Sequence, residues 1–439
     1  MKKKIFEMFD YVLILAVLLL VALGVMFIYS SGINSDGVMV SNEYIKQIIW
    51  ASIGFVLMTI FTIYDYRKME PATVYLFGFF ILTLLYTIFF GRYVNGAKSW
   101  VGIGDIGIQP AELGKMFYIL FFAHFLAKSV NINPLKRFLF ACLILIIPVG
   151  LILMQPDLGT ASVYLPIFLI MCFIADIPVK YLLYVILLGL FTIGFTILPI
   201  WNSEIAKNPI AVIFILTNFK LRAILIFTTI VLAVIGFIVK RYFHSPRYIS
   251  VISHILTIVA LSLIFSFVLG KVLKDYQIKR LIIFMNPYID PKGAGWNVIQ
   301  SEVAIGSGGM SGQGFLKGTQ SHFSFLPQQS TDFIFSILSE ESGFIGGCLV
   351  FVLYFFILIK ILYIIHKCSN KFGMYICAGI FAMFLYHFIV NVGMVMGIVP
   401  ITGIPLLFLS YGGSSLLTAM SSIGLIMNVN FRKSDLDNF

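Results

Sequence analysis

The chain is dominated by long apolar runs separated by short polar turns. Runs of about 20 residues match the hydrocarbon thickness of a bilayer and predict membrane-spanning helices. The predicted helices cover residues 11–30, 44–64, 72–90, 110–128, 138–154, 161–176, 181–200, 223–239, 249–270, 333–361, 373–396 and 414–430. The pattern therefore predicts an all-α polytopic membrane protein, one domain over residues 1–439, with about twelve transmembrane helices.

Two stretches interrupt the apolar pattern. The longer one, Trp296 to Gly347, contains a Gly/Ser-rich segment from Gly306 to Gly318 that keeps apolar and aromatic anchors nearby. Polar loops of this length are usually functional or disordered, and the anchors favour a structured, functional loop. The shorter stretch, Pro400 to Gly413, has two prolines and three glycines. It predicts irregular backbone that protein or water must cover at membrane depth.

Composition supports the membrane assignment, since 60% of the 439 residues are hydrophobic and only 11% are charged. Lys2 to Lys4 precede the first apolar run, as in a secretion signal, but the run is as long as a spanning helix and lacks a small-residue cleavage site. We therefore expect a retained helix. The five cysteines have no zinc spacing and indicate no disulfide framework. No P-loop or dinucleotide-binding fingerprint is present.

The formal net charge of +11 is concentrated in short loops, which the positive-inside rule places in the cytoplasm. The rule predicts a multi-pass membrane protein with both termini inside and the large loop 271–332 outside. Part of the basic excess, Lys274, Lys279, Arg280 and Lys292, falls on that outer loop. These side chains indicate attraction either to anionic headgroups or to a diphosphate-bearing ligand. No nucleic-acid partner is indicated.

A stripe of polar side chains begins the predicted helix that follows this loop. The stripe consists of Asp332, Ser336, Ser339, Glu340 and Glu341. The two serines follow Asp332 on one helical face, and the two glutamates lie about two turns deeper. A local interpretation is that Thr331 caps the helix and Asp332 compensates the helix dipole. Intramembrane carboxylates indicate function instead, and the sequence leaves both interpretations open.

Further candidates lie near the outer ends of other helices. Glu112 and Lys115 are three positions apart and share a helix face. They predict a structural ion pair or, for a desolvated Lys115, a contact to phosphate. Asp157 fits a cap of the next helix as well as a functional role. Trp100 fits an interfacial anchor or a stacking platform for a sugar.

These segments together resemble the SEDS family. The motifs are, in chain order, Asn95-Gly96-Ala97-Lys98-Ser99-Trp100, Gln109-Pro110-Ala111-Glu112, Gln155-Pro156-Asp157-Leu158-Gly159-Thr160, Gln300 to Gly309, Gly312-Gln313-Gly314, Gly318-Thr319-Gln320-Ser321, Phe325-Leu326-Pro327, Thr331-Asp332-Phe333-Ile334-Phe335 and Pro400 to Ser415. The resemblance covers nearly the whole chain except about 201–265. The glycine motifs from Gly312 to Ser321 look like the elongation-type, RodA-like branch more than the FtsW-like division type.

The resemblance implies a peptidoglycan glycosyltransferase that polymerises lipid II on the outer face of the cytoplasmic (inner) membrane during cell elongation and shape maintenance. A class B penicillin-binding protein and elongation-complex proteins are the implied partners. Asp332 takes the position of the family's essential aspartate, a general base in an inverting transfer. A divalent cation, Mg²⁺ or Mn²⁺, is left open, and no other cofactor is implied.

The remaining candidates divide into two groups. Positive side chains would neutralise the leaving diphosphate. The substrate-binding candidates are Trp100, Lys115, Lys279, Arg280 and Gln320. The structural or supporting candidates are Glu112, Asp157, Ser336, Ser339, Glu340 and Glu341.

The chain departs from the family pattern in places. Gln328 and Ser330 stand where an acidic residue and a His usually precede Thr-Asp. His387, four residues before Asn391 on one helix face, stands where a Gln is common. Such a His is more often a hydrogen-bonded packing residue than a catalyst. The family usually has ten helices, so residues 201–265 predict an insertion that adds two.

Other functions fit the same residues. Intramembrane carboxylates and a broken helix are also compatible with a transporter that flips the lipid-linked precursor. A division- or sporulation-type SEDS protein, or a non-enzymatic scaffold for a penicillin-binding protein, is a further alternative.

Overall fold

The computed structural model describes residues 6–94, 97–103, 106–206, 208–243, 246–272, 275–291, 293, 295–323 and 325–433. The sequence candidates Asn95-Gly96, Lys274 and Lys292 lie outside the described residues. Contacts divide the chain into two units. The first combines Met1–Ile177 with Asn297–Phe439, and the second is Pro178–Trp296.

Helices make up most of both units. They are α1 (Tyr11–Ser31), α2 (Glu43–Ile63), α3 (Tyr66–Met69), α4 (Thr73–Phe90), α5 (Pro110–Lys128), α6 (Pro134–Met154), α7 (Leu158–Ile174), α8 (Val179–Glu204), α9 (Phe214–Thr217), α10 (Phe219–Tyr242), α11 (Arg247–Val272), α12 (Asp275–Met285), α13 (Trp296–Ser307), α14 (Thr319–His322), α15 (Ile334–Lys367), α16 (Lys371–Val395) and α17 (Gly413–Arg432). Short 3₁₀ turns occupy Glu70–Ala72, Ala211–Ile213 and Pro287–Ile289.

Local sequence explains where many helices begin. Asp and Asn side chains accept hydrogen bonds from the first-turn amides, which otherwise lack a partner. These capping residues are Asp10, Asn133, Asp157, Asn218 and Asn370. Proline, which needs no amide partner in the first turn, opens α5 and α6.

In the described part of the chain, 10 helices are long and apolar enough to cross a membrane. This confirms the predicted class, a helical polytopic membrane protein. The sequence prediction of about twelve spans also counted α5 and α7, which are not among the 10. Helix α7 has only 17 residues, and α5 carries Glu112 and Lys115 in its first two turns.

The core of the first unit is built on α16 and α17, whose residues are mostly buried. Helix α17 packs along α2, and α16 packs against α5, α7 and α15. The polar residues of α16 are therefore held between helices that come from distant parts of the chain.

A small antiparallel sheet follows α4. Its strands, β1 (Arg92–Val94), β2 (Ala97–Ile103) and β3 (Ile106–Ile108), lie in the order β1-β2-β3. Arg92 pairs with Trp100, and Val101 pairs with Ile108. Lys98 Nζ donates to the carbonyl of Phe89 at 2.7 Å and ties the sheet to the end of α4. The all-α class predicted from the sequence included no strand between residues 90 and 110.

In the second unit, α11 packs against both α8 and α10. The two helices predicted within 201–265 are present as α10 and α11. The predicted start of the first, at residue 223, is wrong because the Asn218 side chain caps a helix that begins at Phe219. Arg222 therefore lies inside α10, buried, and donates to the carbonyls of Leu216 at 3.0 Å and Leu263 at 2.7 Å.

Candidate functional site

Asp332 lies just before α15, where the helix dipole favours a negative charge. Its amide donates to the carbonyl of Gln328 at 3.2 Å, and its own carbonyl accepts from Asn391 Nδ2 at 3.0 Å. The side chain is half-buried. A Cβ placed on Gly403 would lie 3.4 Å from Asp332 Oδ2, so the irregular stretch that begins at Pro400 approaches the carboxylate. Gly403 has φ +71°, a left-handed conformation that favours glycine.

The irregular backbone from Pro400 to Gly412 is anchored from several sides, as its predicted position in a membrane protein requires. The segment also bonds to itself, since the amide of Leu406 donates to Ser410 Oγ at 2.8 Å. Two side chains of α16 donate to its carbonyls, Asn391 Nδ2 to Ile404 O at 2.8 Å and His387 Nδ1 to Pro405 O at 2.9 Å. Gln47 Nε2 donates to Ser410 O at 3.1 Å, and Tyr354 Oη donates to Leu407 O. In the other direction, the amide of Tyr411 donates to Ser330 O at 2.8 Å. The stretch is therefore a fixed part of the bundle.

Lys115 is deeply buried, with 1% of its surface exposed. Its Nζ lies 2.6 Å from Glu112 Oε1 and 3.0 Å from His387 Nε2. The structural ion pair predicted for Glu112 is present. His387 is fully buried and hydrogen-bonded, as the packing interpretation of this residue predicts.

Glu340 and Glu341 are buried and hold the glycine-rich loop. Glu340 Oε1 accepts from the Gln320 amide at 2.8 Å and from Thr319 Oγ1 at 3.1 Å. Glu341 accepts from the Leu316 amide at 3.1 Å and from the hydroxyl of Ser30. These contacts compensate the burial of the two carboxylates.

The two serines of the stripe are also buried. Ser336 Oγ lies 2.7 Å from Ser301 Oγ, which in turn donates to the carbonyl of Val395 at 2.7 Å. Ser339 is 6% exposed, and its carbonyl lies against Gly308. The stripe therefore packs the loop and α13 onto α15.

Gly343 breaks α15, with φ +66° and ψ −162°. This conformation is essentially restricted to glycine. The loop fills the break in a two-way exchange of backbone hydrogen bonds. The bonds are Gln313 N to Glu340 O (3.0 Å), Gly314 N to Glu341 O (3.0 Å), Phe344 N to Gly309 O (2.9 Å) and Ile345 N to Met310 O (3.2 Å). From the sequence alone, a glycine at this position of an apolar run predicts close helix packing instead.

Three other predicted residues have identifiable surroundings in the first unit. Asp157 caps α7 by accepting from the Thr160 amide at 3.0 Å, and it also accepts from Gln109 Nε2 at 2.6 Å. Trp100 is half-buried, and a Cβ on Gly107 would lie 2.9 Å from its Cε3. Gln320 is half-buried, and its amide bonds to Glu340.

Lys279 and Arg280 belong to the second unit. Both lie on α12, where Lys279 is exposed and Arg280 is half-buried. Their role in binding a diphosphate stays a prediction.

Asn391 and Gly403 are the residues that the sequence analysis did not assign to the site. The available signals were the four-residue spacing of His387 and Asn391 and the glycine between Pro400 and Pro405. Across the residues that the structure describes, no group of three or more His, Cys, Asp or Glu could hold a metal ion.

The fold and site define a helical membrane protein in which a half-buried carboxylate and a structured polar loop meet the irregular stretch 400–412. Residues 10–207 and 201–435 match the family FTSW_RODA_SPOVE, described as cell cycle protein. The chain belongs to this family, which confirms the resemblance found in the sequence.

Relatives match over nearly their whole length. The peptidoglycan glycosyltransferase RodA of Treponema pallidum is 51% identical over 97% of this chain and 98% of its own. The stage V sporulation protein E of Bacillus subtilis is 31% identical over 96% of each chain. Escherichia coli MrdB, also named a peptidoglycan glycosyltransferase, is 29% identical over 97% of this chain and 95% of its own.

Solved structures share the fold. A chain from a peptidoglycan synthase complex that coordinates polymerization and crosslinking has a TM-score of 0.66 at 24% identity, covering 96% of this chain and 97% of that one. The crystal structure of the rod shape determining protein RodA of Thermus thermophilus has a TM-score of 0.60 at 21% identity, covering 97% of each.

Proposed function

We infer that the chain is a peptidoglycan glycosyltransferase of the RodA type. The observation that carries this function is the 51% identity, over 97% of the chain, to a relative that bears this name. The substrate is then a lipid-linked disaccharide peptide, and the product is a glycan strand. The biological role is wall synthesis during elongation and shape maintenance.

We propose that Asp332 is the general base of the transfer. The 4-hydroxyl oxygen of the acceptor lipid II attacks the anomeric carbon of the donor, and its proton passes to the Asp332 carboxylate. The bond from this carbon to the diphosphate oxygen breaks, and the lipid diphosphate leaves with the electron pair. Attack from the opposite side inverts the configuration. The position of Asp332 at the start of α15 supports this role, because the helix dipole favours its ionised form.

The charged candidates take different roles in this proposal. Lys279 and Arg280 are assigned to the leaving diphosphate, for which a guanidinium is suited. Trp100 and Gln320 are assigned to the sugar and its substituents. Lys115 is assigned to support instead of phosphate binding, because its ammonium already has two buried partners, Glu112 and His387.

The proposed topology has both termini in the cytoplasm and the loop 271–332 outside. It counts α5 and α7 as spans in addition to the 10 helices of sufficient length and apolarity. Helix α7 is short and α5 carries Glu112 and Lys115, but each lies within a bundle where neighbouring helices shield its polar groups. The active carboxylate then faces the side where lipid-linked substrate is used.

The proposed partner is a class B penicillin-binding protein, together with other elongation-complex proteins. Support comes from the fold shared with a chain of a peptidoglycan synthase complex that couples polymerization and crosslinking. A partner of this kind would crosslink the strands that this chain polymerises.

Purified protein with its partner and labelled lipid II tests the function. Glycan strands resolved by gel electrophoresis should form with the wild type and be lost in Asp332→Asn. Asp36→Asn, which removes an exposed carboxylate from another loop, is the matched control and should polymerise normally.

Each alternative has its own outcome in this assay. Movement of precursor across vesicles without polymer would support the transporter. The scaffold would be supported if neither the wild type nor Asp332→Asn makes polymer but both stimulate the partner equally.

Accessibility to an impermeant thiol reagent tests the topology. A cysteine at Ser311, which is exposed in the glycine-rich loop, should react in intact spheroplasts. A cysteine at Lys68, which is exposed beyond α2, should react only after lysis. The reverse pattern would place the loop inside and remove its access to an outer-face substrate.

A further inference from the structure

Two sets of polar contacts, joined through the backbone of Ile404 and Pro405, link the Glu112–Lys115 ion pair to Asp332. Lys115 Nζ lies 3.0 Å from His387 Nε2, and His387 Nδ1 lies 2.9 Å from the carbonyl oxygen of Pro405. One helical turn further along α16, Asn391 Nδ2 lies 2.8 Å from the carbonyl oxygen of Ile404. The same Nδ2 atom lies 3.0 Å from the carbonyl oxygen of Asp332.

These partners assign the proton on His387. The Lys115 ammonium has only donors, so Nε2 must accept, and the proton must be on Nδ1, from which it is donated to Pro405 O. A second proton on the ring would place two positive charges about 3 Å apart in a buried site, which the local dielectric makes very costly. His387 is therefore neutral, with Nε2 as the acceptor and Nδ1–H as the donor.

The side chains of Asn391 and His387 bond to adjacent residues of the stretch 400–412. Asn391 joins the backbone of Asp332 directly to Ile404, while His387 anchors the next residue, Pro405, to the buried ion pair. Gly403, which lies against Asp332 Oδ2, immediately precedes these anchored residues. A shift of the segment by 1 Å would change what the carboxylate faces, and misplacements of about this size reduce catalysis by about 100-fold.

We propose that His387 and Asn391 are positioning residues that fix the broken stretch 400–412 against the carboxylate of Asp332. The proposal rests on the assigned role of Asp332 as base. Neither side chain touches the reacting atoms. Both act by holding the backbone of Asp332 and of the residues after Gly403 in place. The Glu112–Lys115 ion pair in turn holds the His387 ring.

A pair of substitutions at one position tests the proposal. His387→Gln keeps one acceptor and one donor on a neutral group, whereas His387→Leu fills similar space and removes both contacts. In the lipid II assay, we expect kcat within about 3-fold of wild type for the Gln variant and about 30-fold lower for the Leu variant. KM should change little in either, because the substrate contacts are retained.

Two further variants complete the series. Asn391→Asp is nearly isosteric but turns a carboxylate oxygen toward two carbonyls, so kcat should fall as in His387→Leu. Cys377→Ala changes a buried residue of α16 outside these polar contacts and should leave kcat at the wild-type level. Gel filtration and thermal midpoints establish that each variant is folded.

Hydrogen exchange separates this proposal from the proposed function. The amides of 400–412 should exchange at least about 10-fold faster in His387→Leu and Asn391→Asp, and at the wild-type rate in His387→Gln. This readout does not depend on activity, so it stands even if the wild type makes no polymer. A folded His387→Leu protein with unchanged kcat and exchange would overturn the proposal, as would a Gln variant as impaired as the Leu variant.

Discussion

The amide of Phe344 donates to the carbonyl of Gly309 at 2.9 Å, which joins a residue inside a long helix to a residue of the loop before it. The break at Gly343 frees this amide from its helical partner. The piece of α15 from 344 to 367 is by itself longer than the ~20 residues that cross a membrane. Glu340 and Glu341 therefore belong to the short piece before the break.

Replacing Gly343 should be more harmful than replacing a neighbouring glycine. Gly343→Ala forces a side chain into a conformation that only glycine adopts easily, at a cost of about 1–3 kcal/mol. Gly347→Ala is the matched control, since its Cβ would meet only ordinary contacts at 3.6 Å and beyond. Thermal unfolding in detergent should show a lower midpoint for Gly343→Ala alone, and equal midpoints would contradict the inferred strain.

Removing the Glu340 carboxylate should release the loop. Glu340→Ala leaves the Gln320 and Ser321 amides and the Thr319 hydroxyl without their acceptor. We expect limited proteolysis to cut between residues 316 and 325 at least about 10-fold faster than in the wild type. With chymotrypsin, which does not cleave after lysine, Lys317→Ala changes an exposed side chain of the same loop and should be cut at the wild-type rate.

Arg137→Lys should destabilise the protein although it keeps the charge. Arg137 donates to the carbonyls of Leu126 at 2.7 Å and Ala175 at 2.8 Å, and to Ser129 Oγ at 3.0 Å. It therefore joins the ends of α5 and α7, and a lysine cannot reproduce this fork. The expected loss is about 1–3 kcal/mol in the free energy of unfolding. Lys136→Ala, at an exposed neighbour, should change it by less than about 0.5 kcal/mol.

Asp65 should make stability depend on acidity. Burial by itself raises the pKa of this carboxyl, but hydrogen bonds from Arg67 and the charges of Arg432 and Arg67 outweigh it and hold the pKa below its ordinary value of 3.8. The unfolded chain then binds the proton more readily, so the stabilisation is present above pH 3.8 and is lost as pH falls through the lower, folded pKa.

Thermal midpoints of wild type and Asp65→Asn, measured between roughly pH 3 and pH 6, check this expectation. The wild type should have the higher thermal midpoint at the upper end of this pH range, and the difference between the two midpoints should shrink as the pH falls. Asp36→Asn, at an exposed carboxyl, should run parallel to the wild type. A difference that grew on acidification would have the wrong sign.

The helices could be predicted from the sequence because apolar length and flanking charge are local properties. The start of α10 was misplaced because Arg222 was taken as a loop residue, whereas carbonyls of neighbouring segments satisfy its guanidinium. The small sheet was missed, although Asn95-Gly96, a dipeptide typical of hairpin turns, follows Tyr93 and Val94, which have high β propensity. The conformation of Gly343 has no such signal, since a glycine in an apolar run equally predicts close packing.

The candidate site was only partly predictable, because its contacts join residues far apart in the chain. The sequence indicated Asp332, the Glu112–Lys115 pair and the packed His387 from charge, spacing and residue type. It did not indicate that His387 and Asn391 contact the stretch 400–412, because helical spacing defines a shared face but not what that face meets. The same limit applies to Glu340 and Glu341, whose loop partners depend on the tertiary fold.

The pairing of the glycine-rich loop with the break in α15 determines how these two segments unfold. Lifting residues 309–314 away would unpair the four backbone hydrogen bonds with residues 340–345, at about 1–3 kcal/mol for each buried group left unsatisfied. The glycine-rich segment and the helix therefore unfold together, as one cooperative unit. Although the composition of this segment suggests mobility, the amides of Gly312, Gln313 and Gly314, which donate to Gly308 O, Glu340 O and Glu341 O, should be protected from exchange.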